Sequence, residues 1–102
     1  MKYGLSNETI GKIQQVLRQH PEVTHAILYG SRAKGNFKNG SDIDLTLLGE
    51  NISRSILGKI IEELDDLLLP YKIDLSIFSQ IQDKDVRDHI ERVGILFYEK
   101  NG

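Results

Sequence analysis

The sequence predicts an α/β domain: a small mixed β-sheet with helices packed on one face. Three observations carry this. Helical periodicity alternates with strand periodicity along the chain, in the order helix, strand, loop, strand, helix, strand, helix. The breakers Pro21, Gly49 and Pro70 fall between these segments. The strand from Tyr71 to Phe78 alternates apolar and polar residues, so one of its faces meets a core and the other does not.

Residues 6–20 read as the first helix, capped by Ser6 or Asn7, with Ile10, Ile13, Val16 and Leu17 on one face. Pro21 ends it. His20 and His25 near this end allow a paired-metal reading, but solvated or core histidines are the simpler account. Glu22 to Tyr29 is the first strand, with Val23, Ala26, Ile27 and Leu28 apolar. Tyr29 either lines a ligand pocket or packs beside the turn.

A polar loop from Ser31 to Ser41 follows, with Phe37 as its one large apolar residue. Such loops run over the surface and commonly carry function. The second strand spans Asp42 to Leu48. A helix runs from about Arg54 to Leu69, with Ser53 as N-cap. Its stripe of Ile56, Leu57, Ile60, Ile61, Leu64, Leu67 and Leu68 is expected to be buried. The acidic run Glu62, Glu63, Asp65 and Asp66 is its solvated face.

In the third strand Ile73, Leu75 and Ile77 share one face, and Lys72, Asp74 and Ser76 the other. A last helix covers Asp83 to Val93, with Val86, Ile90 and Val93 inward and Gly94 as breaker. Ile95 to Tyr98 reads as an edge strand or a docking segment. His89 has no partner at metal-ligand spacing along the sequence.

Composition bounds the function. The chain has 102 residues, 39% hydrophobic and 27% charged, which suits one soluble domain spanning 1–102. A net charge of −2 argues against broad binding of nucleic acid, which calls for a basic surface. With no cysteine there is neither a disulfide framework nor a thiolate zinc site. No apolar run is long enough for a membrane span, and the N-terminus lacks a signal peptide's apolar region. A cytoplasmic protein is the expectation.

The chemistry concentrates in Gly30-Ser31, a ten-residue interval from Arg32 to Ser41, and then Asp42-Ile43-Asp44. Asp42 and Asp44 lie two apart on a strand, hence on one face, while Ile43, Leu45 and Leu47 face a core. Two carboxylates so placed repel by about 4 kcal/mol at an effective dielectric near 20, and a divalent cation turns that cost into attraction. Mg²⁺ takes one or two carboxylates together with phosphate oxygens and water. Gly30 allows a sharp bend and close ligand approach, and Ser31 offers a hydroxyl and main-chain N–H groups to an anion. Arg32 and Lys34 add positive charge nearby. Taken singly, each element has a bland account as a turn or a solvated acid; the ordered string is far more specific.

Gly30-Ser31, ten residues and Asp42-x-Asp44 resemble the signature of the DNA polymerase β-like nucleotidyltransferase superfamily. The wording Gly-Ser-Arg-Ala-Lys-Gly and Ser-Asp-Ile-Asp-Leu resembles its minimal nucleotidyltransferase (MNT) branch, over nearly the whole chain. Lys34 stands where many relatives have Arg, which keeps the charge and loses the bidentate fork.

The resemblance implies a polymerase β-like fold and transfer of AMP from ATP to a hydroxyl, supported by two Mg²⁺ ions. It implies Asp42 and Asp44 as metal ligands, and Asp74 as a third carboxylate that also assists deprotonation. Gly30 and Ser31 would hold the terminal phosphates, with Arg32 and Lys34 neutralising charge. It also implies a partner, a HEPN-domain toxin whose tyrosine accepts AMP, so that the chain acts as an antitoxin within a hetero-oligomer. Two alternatives remain: an antitoxin that works by binding alone, and a small-molecule nucleotidyltransferase subunit completed by a second chain.

Overall fold

The computed structural model describes residues 1–101. The elements run α1 (Asn7–Arg18), β1 (His25–Tyr29), α2 (Ser31–Lys34), β2 (Ile43–Leu48), α3 (Arg54–Asp65), β3 (Ile73–Ile77), α4 (Lys84–Val93) and β4 (Ile95–Glu99). A short 3₁₀ turn at Phe78–Gln80 follows β3. The four strands form one mixed sheet in the order β3-β2-β1-β4. β1 is antiparallel to β2 and to β4, and β2 is parallel to β3. β4 is therefore an edge strand, one of the two readings of Ile95 to Tyr98.

The caps are local chemistry. Ser6 accepts a hydrogen bond from the Thr9 N–H, Ser53 from the Ile56 N–H, and Asp83 from the Asp85 N–H. Each satisfies one of the donors that a helix start leaves unpaired. Gly94 closes α4, as the sequence predicts.

One face of the sheet carries Ala26, Leu28, Ile43, Leu45, Leu47, Leu75 and Ile77, all buried. α1 and α3 cover it with Ile10, Ile13, Leu17, Ile60 and Leu64, and together these side chains form the core. The His20 ring joins the end of α1 to α3 through Glu63 at 2.9 Å, and His25 lies 3.4 Å from Glu99. The two histidines thus serve separate ion contacts and form no metal pair.

Two expectations need correction. α3 ends at Asp65, four residues short of Leu69, and Leu68 takes a left-handed backbone (φ 54°) and is 88% exposed. Ile61 is also exposed, so the buried stripe is narrower than its hydrophobicity implies. Pro70 disfavours helical backbone at Leu69, and the chain leaves the helix earlier to reach β3. The second concerns the helices. α1 and α3 back one face as expected, but α4 lies on the opposite face, over β1. There a Cβ on Gly94 would fall 2.6 Å from Ile27 Cγ2 and 2.4 Å from the Ile90 carbonyl oxygen. No helix among the described residues is long and apolar enough to cross a membrane.

Glycine at 94 is thus what lets α4 close on the sheet. Gly94→Ala is expected to destabilise the fold by about 1–3 kcal/mol, the usual cost of overpacking, as read by urea denaturation.

Candidate active site

The open part of the second sheet face is built from register. Tyr29 pairs with Asp44 across β1 and β2, and Asp44 with Asp74 across β2 and β3. One row therefore reads Tyr29, Asp44, Asp74, and the next Ile27, Thr46, Ser76. Asp42 stands just ahead of β2 and is exposed. Side chains opposite one another on neighbouring strands lie about 4.5–5.5 Å apart at Cβ. Asp44 and Asp74 are therefore neighbours, and the polar face of β3 is the face that carries Asp44.

The carboxylates sense one another. Burial of Asp44 raises its carboxyl above the ordinary value, and the negative charges of Asp74 and then Asp42 raise it further. Among the described residues, no group of three His, Cys, Asp or Glu side chains is placed to hold a metal ion by itself. The carboxylates form instead an open set: a half-buried Asp44, an exposed Asp74 beside it and an exposed Asp42. Mutual repulsion within an open set of hard oxygen donors fits Mg²⁺, which keeps water and phosphate oxygens among its ligands.

Beside them, in the next row of the same face, lies a polar pair. The Ser76 hydroxyl donates to Thr46 Oγ1 at 2.9 Å, and Thr46 is fully buried. Burial pushes the Tyr29 phenol up, and the negative charges of Asp44 and Asp74 push it further, while Ser76 acts in the opposite direction. Tyr29 thus lines the carboxylate site as well as packing beside the turn.

The turn closes the site at one end. Gly30 has φ 77° and ψ −157°, a backbone that residues with a Cβ rarely adopt. A Cβ there would also meet Asp44 Oδ2 at 2.3 Å. Glycine thus brings the turn directly against the aspartate. Ser31 is half-buried and opens α2, and Lys34 in its last turn is exposed.

Arg32 departs from expectation. It is 2% exposed, and its guanidinium does not stand open toward a ligand. Its Nε and Nη2 donate to the Ser41 carbonyl at 3.1 and 2.8 Å, and Nη1 donates to the Tyr3 carbonyl at 2.9 Å. Phe37 and Tyr71 flank it, with ring centroids 5.3 and 4.9 Å from the guanidinium carbon. Arg32 fastens the loop that joins the turn to the carboxylates, and Phe37 packs inward as part of that fastening.

His89 is the residue that spacing along the chain did not reveal. Its Nε2 accepts a hydrogen bond from the Gly30 N–H at 3.2 Å, and its ring meets Tyr29 edge-on at 6.2 Å. Fifty-nine residues separate His89 from Gly30, and only the fold of α4 back over β1 unites them.

A wide groove lies elsewhere. About 710 Å³ in volume, it opens at the far end of the β1–β2 ladder, between Pro21, His25, Leu48 and Asn51. It contains none of the residues of the turn or the aspartate row.

The model of the polymerase beta nucleotidyltransferase family matches residues 11–102. The chain belongs to this family. It is 28% identical over 100 residues to the probable protein adenylyltransferase MntA of Haemophilus influenzae, covering 94% of this chain and 84% of that one. Among solved structures, a toxin–antitoxin crystallised with AMP-PNP superposes with a TM-score of 0.72 at 20% identity, covering 90% of this chain and 74% of that one. The MNT antitoxin complexed with the tri-AMPylated HEPN toxin of Shewanella oneidensis gives 0.70 at 17% identity, covering 94% and 74%. These likenesses confirm the fold that the signature implied, and the family makes the chain a nucleotidyltransferase.

Two outcomes are expected of this nucleotidyltransferase. Asp44 has a raised carboxyl, so between the ordinary carboxylate pKa and the raised one the folded state holds more protons than the unfolded state. Stability then falls as pH rises through this window. Asp44→Asn should raise the melting temperature at pH 7 by a few degrees, and the gain should vanish in acid below the ordinary carboxylate range. Arg32→Lys leaves one ammonium to serve two carbonyls, and should cost about 1.5–3 kcal/mol in urea denaturation.

Proposed function

We propose that this nucleotidyltransferase moves AMP from ATP to a hydroxyl of a protein partner, and that the partner is a HEPN-domain toxin which AMP addition silences. The observation that carries the reading is the row Tyr29, Asp44, Asp74 closed at one end by the Gly30-Ser31 turn. It joins two things that nucleotidyl transfer needs, clustered carboxylates and an anion-binding turn. Support for the partner comes from relatives: the adenylyltransferase MntA and the toxin–antitoxin complexes named above.

In this reading Asp42, Asp44 and Asp74 hold divalent metal, two Mg²⁺ ions by analogy with the superfamily, which neutralises phosphate charge and polarises the α-phosphate. Ser31 binds the terminal phosphates through its hydroxyl and N–H, and Gly30 keeps the turn close enough to Asp44 for both ends of the triphosphate to be held. Lys34, exposed at the end of α2, supplies the mobile positive charge that buried Arg32 does not. Asp74, the exposed member of the row, accepts the proton of the attacking hydroxyl. The new bond joins that oxygen to the α-phosphorus, and the bond to the β-phosphate oxygen breaks as pyrophosphate leaves. A tyrosine hydroxyl of the partner is the acceptor, as the MNT resemblance implies.

The test is co-expression with the protein encoded beside the gene, followed by intact-mass measurement of that protein. Wild type should add mass in steps of one AMP, and Asp42→Ala should lower the rate by about 10²–10³-fold, the cost of losing one preorganised charge. A partner that gains no mass, yet stays bound and silenced by both forms, would leave an antitoxin that acts by contact alone.

A further inference from the structure

We propose that His89 is a positioning residue for the phosphate-binding turn; the inference rests on the nucleotidyltransferase reading above and deepens it. The register of the sheet supplies the starting point. β4 begins at Ile95, opposite Leu28, so the edge strand stops short of Gly30. No acceptor from the β4 ladder reaches the Gly30 N–H. α4 ends immediately before β4 and crosses over β1, and it brings His89 Nε2 to 3.2 Å from that N–H.

The bond has chemical consequences. Nε2 must be the unprotonated nitrogen in order to accept, so Nδ1 carries the ring proton. The ring is held in that orientation by its edge-on contact with Tyr29. Gly30 needs the restraint more than an ordinary residue. Its φ of 77° and its missing side chain leave its peptide free to rotate, and glycine samples more backbone conformations than any other residue. Rotation of that peptide would re-aim Ser31, the next residue, and would disturb the close approach of Gly30 to Asp44. His89 thus holds the peptide in the one orientation that presents Ser31 to a triphosphate. It touches neither phosphate nor acceptor, and its effect is on nucleotide affinity and not on the chemical step. His89 also lies one position before Ile90, the buried anchor of α4, so the placement of the whole helix is transmitted to the turn.

The test uses the full chain with Mg²⁺ and ATP, and the chain with its HEPN partner for kinetics, as wild type, His89→Ala and His89→Gln. Loss of one hydrogen bond should raise the Kd and KM for ATP by about three- to tenfold in His89→Ala. The kcat should stay within about twofold, since the bond is made equally in ground and transition states. Gln offers a carbonyl oxygen in place of Nε2 and should recover most of the affinity. Amide exchange at Gly30 should be protected in wild type and His89→Gln, and fast in His89→Ala. If wild type binds no ATP, the nucleotidyltransferase reading falls and takes this assignment with it. If wild type binds ATP and His89→Ala matches it in Kd and in Gly30 exchange, the assignment alone falls. Equal weakening in both variants, in proportion to a lowered melting temperature, would reduce His89 to a packing residue and likewise overturn it.

Discussion

The geometry of the site depends on a buried cation. Arg32 is almost fully removed from water and has no carboxylate among its hydrogen-bond partners. A charge in that position is costly unless other groups replace its hydration. Two main-chain carbonyls and two aromatic faces do so here. The planar fork is what makes this possible, because two of its N–H groups converge on Ser41 while a third reaches Tyr3. Ser41 is the residue before Asp42, and Arg32 is two residues past Gly30. One guanidinium therefore ties both ends of the glycine-rich loop together, and the loop can be polar and exposed without leaving the aspartates adrift.

The second constraint is steric, and it sets function against stability. Gly30 lies so close to Asp44 that no side chain fits between them. That contact brings a turn suited to anions against a carboxylate, and the row then adds Asp74 beside it. In the protein alone Asp44 and Asp74 are unfavourable neighbours, and burial together with the negative charges of Asp74 and Asp42 raises the Asp44 carboxyl. Perturbed acids of this kind cluster at functional sites because the ligand, not the fold, relieves them. The aspartate row is also open, and the groove of about 710 Å³ lies at the other end of the sheet. An open row offers no walls for an acceptor, which suits an acceptor carried on a folded partner.

The sequence made much of this legible, for local reasons. Ser6 and Ser53 act within four residues of their own position, so their capping could be read directly. The side-chain period of two placed Asp44 and Asp74 on polar strand faces without knowledge of strand order, whereas Asp42 lies just ahead of β2. What could not be read depends on residues brought from afar. Arg32 looked like a phosphate ligand because it follows the turn, and its burial needs Tyr3, Phe37 and Tyr71 from three other parts of the chain. His89 had no partner in sequence, and acquires one only because α4 crosses to the face opposite α1 and α3. Leu68 fitted the apolar stripe of α3, but the turn toward Pro70 had already taken it out of the helix.

Register explains why the site and the core cannot drift apart. β2 and β3 are parallel and pair Asp44 with Asp74, Leu45 with Leu75 and Leu47 with Ile77. The same alignment that stacks apolar residues against α1 and α3 sets the aspartates side by side on the opposite face. A slip of β3 by one residue would turn Asp74 and Ser76 into the core and Leu75 and Ile77 out to water. Exposing those two side chains alone would forfeit roughly 3–6 kcal/mol of apolar burial, before the cost of burying a carboxylate is counted. That loss is comparable to the whole stability of a small domain. The spacing of the carboxylates is therefore enforced from beneath by the apolar face, even though the carboxylates repel. An exposed site on a strand face needs no dedicated scaffold of its own when the alternate residues of the same strands are the core.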